Sequence, residues 1–71
     1  MKIYPNPVTD VLNVRFSKVQ QGILFLFDLS GKCILKSSFH NQSHVKISVK
    51  GVETGVYTLQ MDGFYQKVYV M

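Results

Sequence analysis

Apolar and polar residues alternate along this chain with a period of two almost from end to end. Between Val11 and Phe16, Leu12, Val14 and Phe16 alternate with Asn13 and Arg15, the pattern of a half-buried strand. Residues 23–27, Ile-Leu-Phe-Leu-Phe, are apolar throughout, which predicts a central strand covered on one face by the core and on the other by neighbours or a partner. Cys33, Leu35 and Phe39 share one parity against Lys36 and Ser38, although Ile34 breaks the alternation. Val45, Ile47 and Val49 alternate with His44, Lys46, Ser48 and Lys50, and Tyr57, Leu59 and Met61 with Thr58, Gln60 and Asp62. Phe64, Val68 and Val70 close the series with Gln66 as its one polar inward position. No segment of useful length carries a helical period.

Turn chemistry falls between these runs. Pro5-Asn6-Pro7 removes two backbone donors, so the strand before it must be short and lie at an edge. Asp28-Leu29-Ser30-Gly31 reads as a type I turn closing a hairpin, with an acceptor side chain first and glycine fourth. Asn41-Gln42-Ser43 reads as a polar loop, and residues 50–55 as a longer crossover with glycine near both ends. Asp62-Gly63 is the strongest short hairpin signal. Short strands separated by regular turns predict an all-β fold, an Ig-like seven-strand antiparallel β-sandwich, with a small barrel as the competing architecture.

Composition narrows what such a fold can do. Seventy-one residues, 46% apolar and 17% charged, make one domain, residues 1–71, with a small core. A deep catalytic pocket needs more chain. The longest uncharged apolar stretch, residues 22–27, is far short of the roughly 20 residues of a membrane-spanning helix, and the N-terminus lacks the apolar segment of a secretory signal. The formal charge of +4 comes from scattered lysines and Arg15. Nucleic-acid binding calls instead for a clustered stripe with aromatics between the bases, so no nucleic-acid partner is expected.

Candidate chemistry is sparse. His40 and His44 flank a polar region without an acidic companion at metal-ligand spacing, and surface histidines are the plainer reading. Cys33 has apolar chain neighbours and inward parity, which predicts a buried thiol rather than a nucleophile. Asp28 and Asp62 both lie in turns, where carboxylates bond backbone donors. The residues therefore assign no catalytic, metal-binding or cofactor-binding site, and no enzyme. If Val68 and Val70 face inward, Tyr65, Lys67 and Tyr69 project outward as a contact patch, or as cover for the adjoining strand.

Four landmarks occur in order: Tyr4-Pro5-Asn6-Pro7, Asp28-Leu29-Ser30-Gly31-Lys32, Gly55-Val56-Tyr57 and Lys67-Val68-Tyr69-Val70. Singly these are ordinary turns and strand ends. Together, over nearly the whole chain, they resemble the C-terminal sorting domain (type A) of cargo proteins of the Bacteroidetes type IX secretion system. The resemblance implies a non-catalytic domain excised from a larger secreted protein, with Met1 as an added start and an N-terminal cargo domain in the parent chain. It implies passage through the periplasm, recognition by the outer-membrane translocon, removal by a surface sortase, and a final place at the cell surface or outside the cell.

By the same resemblance, Gly55 permits a tight approach into a strand and Tyr57 anchors the core. Asp28, Gly31 and Lys32 form a turn or a recognition element. Lys67, Val68, Tyr69, Val70 and Met71 carry translocon recognition, an exposed terminal strand offering its free edge for strand addition. Tyr69 departs from the small aliphatic residue more usual there. A different class remains open, a structural or carbohydrate-binding accessory module stacking sugars on Tyr65 and Tyr69, and a third, a small enzyme using Cys33. Exposed sheet edges and the double-sided run at residues 23–27 leave room for a weak homodimer.

Overall fold

Alternation at residues 11–16 and the apolar run at 23–27 continue into one another as a single long strand. The computed structural model describes residues 1–71 and contains five strands: β1 (Lys2–Tyr4), β2 (Val11–Phe27), β3 (Cys33–Ser48), β4 (Gly55–Met61) and β5 (Phe64–Val70). All pairings among them are antiparallel. β3 accompanies β2 along nearly its whole length, while β2 also pairs with β1 at residues 13–15 and with β4 at residues 25–27. β5 lies beyond β4. The result is an all-β curled antiparallel sheet.

Five strands stand where seven were expected, because two predicted breaks are bends within strands. Arg15 faces His44 and the next pair is Gln20 with Gln42, so residues 16–19 lie opposite Ser43 alone. Such unequal lengths bend and twist a ladder without ending it. No glycine or proline interrupts residues 16–21, and Asn41 absorbs the turn on the partner strand with φ +51°. Asn41-Gln42-Ser43 is therefore part of β3, not a loop. His40 and His44, read as flanking a loop, also lie in β3.

The bend lets both halves of the β2–β3 hairpin contribute to one core. Its fifteen buried residues are all apolar, with Leu12, Val14 and Phe16 from the first half of β2 and Leu24 and Leu26 from the second. Phe16 stacks on Phe39 at the bend, ring centroids 5.3 Å apart. The isolated parallel bridge Val8–Val70 brings the segment before β2 against β5.

The turns follow their chemistry. Gly31 N donates to Asp28 O at 3.1 Å, and Gly31 takes φ +90°, which a side chain would strain. Asp62 and Gly63 both have positive φ, the type I′ hairpin that matches strand twist.

Three inward assignments fail. Leu26 pairs with Leu35 but Phe27 pairs with Cys33, leaving Ile34 as the extra residue of a bulge. That shift turns Cys33 outward, where it is exposed. Phe64 and Gln66 keep their parity opposite the buried Met61 and Leu59, yet at this end of the outermost strand both are exposed, Phe64 by 39%.

Candidate recognition surface

The last strand alternates as its sequence requires. Val68 and Val70 are fully buried, and Tyr65, Lys67, Tyr69 and Met71 project into solvent, Tyr65 being 63% exposed. β4 fixes one edge of this strand: Gly55 pairs with Val70, Val56 with Tyr69 and Tyr57 with Val68.

The other edge is occupied from the opposite end of the chain. Asn6 Nδ2 donates to Lys67 O at 3.0 Å, and Tyr69 N donates to Asn6 Oδ1 at 2.9 Å. One step further, Val8 N donates to Tyr69 O at 2.8 Å and Met71 N to Val8 O at 2.9 Å. Flanking prolines cannot donate backbone hydrogen bonds, so the Asn6 amide, one donor and one acceptor, stands in for a strand residue. These contacts correct the expectation of a free edge. Lys67 O, Tyr69 N, Tyr69 O and Met71 N on that edge are already paired, which leaves little of it for an added strand. What this strand offers is its outward side chains.

Three of the four landmark segments thus lie side by side as Asn6–Val8, the terminal strand and Gly55–Tyr57. Tyr4 and Pro5 precede this clamp, with Tyr4 in β1 and Pro7 exposed between Asn6 and Val8. Tyr57 is buried and its hydroxyl donates to Glu53 O at 2.7 Å, which ties the crossover to the core. Gly55 has no positive φ, and a Cβ there would meet the Tyr57 ring at 3.7 Å, an ordinary contact. The expected steric demand for glycine is absent.

The fourth segment caps the β2–β3 hairpin. Asp28 Oδ1 accepts from Ser30 Oγ at 2.6 Å, Ser30 N at 2.9 Å and Lys32 N at 3.0 Å. The Ser30 hydroxyl, then the Lys32 amide, hold the Asp28 carboxyl below its ordinary pKa. Lys32 itself is exposed. A shallow hollow lies between this turn and the crossover, lined among others by Asp28, Lys32, Lys50, Glu53 and Tyr57.

Sequence reasoning missed two features. One is Asn6, read only as part of a turn; its signal was a lone amide between two residues that cannot donate. The other is a polar network on the outer face of β1, β2 and β3. There Arg15 Nε donates to Tyr4 Oη at 3.2 Å, Asn13 Nδ2 to Tyr4 O at 3.2 Å, and His44 Nε2 to Asn13 Oδ1 at 3.0 Å. No three of the chain's His, Cys, Asp and Glu residues converge as a metal site.

Comparison with known families gives one match. The family model described as secretion system C-terminal sorting domain covers residues 2–69. Searches of curated proteins and of solved structures returned no match.

Proposed function

The chain belongs to the secretion system C-terminal sorting domain family, the type IX sorting signals, and from that premise we propose that it works as a folded address read through side chains. A sorting tail of this kind implies a type IX secretion system and export to the cell surface or the extracellular space, and such domains are in general non-catalytic. In our reading the domain follows its cargo through the periplasm, docks on the outer-membrane translocon through Lys67, Tyr69 and Met71, and is afterwards cut away by a surface sortase. Val68 and Val70 serve the core, and Asn6, Gly55 and Tyr57 hold the strand in place.

The observation that carries this reading is the double clamp on the last strand. Asn6 and Val8 on one edge and β4 on the other fix the spacing of the outward residues, so a receptor meets a preorganised row and does not have to order a loose tail. A portable signal for a cargo that is itself folded requires that independence.

The test is a periplasm-targeted reporter carrying all 71 residues at its C-terminus, expressed in a bacterium with an intact type IX system and in a translocon-deficient strain. Reporter outside the cell in the first strain only is the expected result. A folded, uncleaved fusion held in the periplasm of both strains would end the reading.

A further inference from the structure

The apolar run at residues 23–27 predicted a cover on both faces, and only one is covered. Leu24 and Leu26 are in the core, whereas Ile23 is 41% exposed and Phe25 and Phe27 are half-buried and stacked on each other, centroids 5.9 Å apart. Cross-strand register extends this face over four strands. One row runs Lys36, Phe25, Gln60, Tyr65; the next runs Cys33, Phe27, Thr58, Lys67. Aromatic rings thus stand on β2 and on β5 with Thr58 and Gln60 of β4 between them, and Lys36 lies at one rim and Lys67 at the other. Residues 23–27, 33–39, 55–61 and 64–70 contain no aspartate or glutamate. The nearest carboxylate, Asp28, has one oxygen engaged by three donors of its own turn.

We propose that this face is a docking surface for a protein partner presenting an apolar projection flanked by carboxylates. The proposal rests on the sorting reading and names the chemistry of the partner that reads the domain. Exposed apolar patches of this kind mark interaction sites, where aromatic side chains are enriched at the centre and the rim is polar. Charge decides between occupants. A second copy would bring the same two lysines and, beside Phe27 and Tyr65, only Asp28, which has one oxygen engaged by its own turn, so face-to-face pairing sets a surplus of like charges together. An acidic rim answers both lysines at once. Four strands at about 4.8 Å spacing make a patch about 15 Å across, the scale of a contact that forms and is released rather than of a permanent assembly.

The experiment compares three variants of the 71-residue reporter fusion with the parent fusion. Tyr65→Ser and the double variant Lys36→Glu/Lys67→Glu alter exposed positions of this face; Arg15→Glu/Lys46→Glu makes the same charge change on the outer face of the other end. Export falling about tenfold or more for the first two and holding within about twofold for the third is expected, a tenfold change being the loss of one modest contact. Purified variants that melt within a few degrees of the parent exclude misfolding as the cause.

If the parent fusion is exported and both face variants are exported equally well, this proposal is overturned while the sorting role stands; if the parent is not exported, the sorting role falls and this proposal with it. A photo-crosslinking phenylalanine analogue at position 65 of the exported parent gives a second reading. An adduct whose partner peptide combines apolar residues with aspartate or glutamate supports the proposal. An adduct with a second copy or with a glycan, or none while the same group at position 46 reacts, overturns it.

Discussion

The two ends of the β2–β3 hairpin share their strands, their period and their core, and differ in what they turn outward. At the first end, residues 11–15 and 44–48, the outer face is built from Tyr4, Asn13, Arg15 and His44, which satisfy one another. At the second, residues 22–27 and 33–39, the corresponding positions hold Ile23, Phe25 and Phe27, with no polar partner to satisfy. Folding demands neither arrangement in particular, since an antiparallel sheet is stable with one face in water. The first face is finished by its own hydrogen bonds. The second is unfinished, and an apolar face left open on a small domain is where a partner belongs.

If that contrast is confined to the outer faces, the inner faces must be equivalent. Leu12 and Leu24, fully buried in the first and second ends, are expected to lose about 2–5 kcal/mol each when changed to alanine, the range for leucine truncation in a core. Urea denaturation measures both. A Leu12→Ala cost well below that of Leu24→Ala would mean that the ends fold as unequal units and that the outer difference follows from the inner one.

Much of this inner equivalence was legible in the sequence. Val45, Ile47 and Val49, and Tyr57, Leu59 and Met61, are buried as their alternation required, because burial on one sheet face imposes a strict period. Asp62-Gly63 forms the turn its residue types favour. The fusion of predicted strands was not legible, since a bulge keeps the chain extended while changing the register, and composition records only the residue types. Ile34 did carry a trace: the broken alternation there is the bulge that exposes Cys33. The lone amide between two prolines marked Asn6 as a candidate, but its partners, 61 and 63 residues away, were not legible. The family resemblance drew attention to Tyr-Pro-Asn-Pro and to the last strand without indicating that they touch.

The clamp gives the next largest effect, and it too separates the two ends. Asn6→Ala removes both side-chain bonds to β5 and leaves Tyr69 N and Lys67 O unpaired, at an expected cost of about 1–2 kcal/mol. Asn13→Ala, in the polar network of the first end, is expected to cost about as much, because its bonds to Tyr4 O and the His44 ring are part-buried where those of Asn6 are exposed. Hydrogen exchange separates the two: the Tyr69 amide should lose protection in Asn6→Ala and keep it in Asn13→Ala.

A smaller effect sits in the turn at the tip of the second end. The Asp28 carboxyl is held below its ordinary pKa by Ser30 and Lys32, so its ionised form is favoured by folding. A group of this kind contributes stability above the unfolded pKa and loses it as pH falls through the folded one. Asp28→Asn keeps an acceptor oxygen but loses the charge. The parent should therefore melt higher than the variant near neutral pH, and the gap should close as the pH drops below about 4. A gap independent of pH would remove charge from the account of that turn.

The smallest expected effect is the most discriminating for the comparison itself. Tyr4→Phe deletes the hydroxyl that accepts from Arg15 Nε, leaving the ring beside His44, centroids 6.4 Å apart. Both partners lie at the surface, so water replaces the lost acceptor and the change in stability should stay within about 0.5 kcal/mol. Export of a reporter fusion should not change at all, because this face is complete in itself and presents no unsatisfied group to a receptor. Set against Tyr65→Ser, at an exposed tyrosine where Tyr4 is half-buried, the pair isolates function from folding. If Tyr4→Phe alone abolished export while the fold melted normally, the receptor would be reading the polar end, and the open aromatic face would need another occupant.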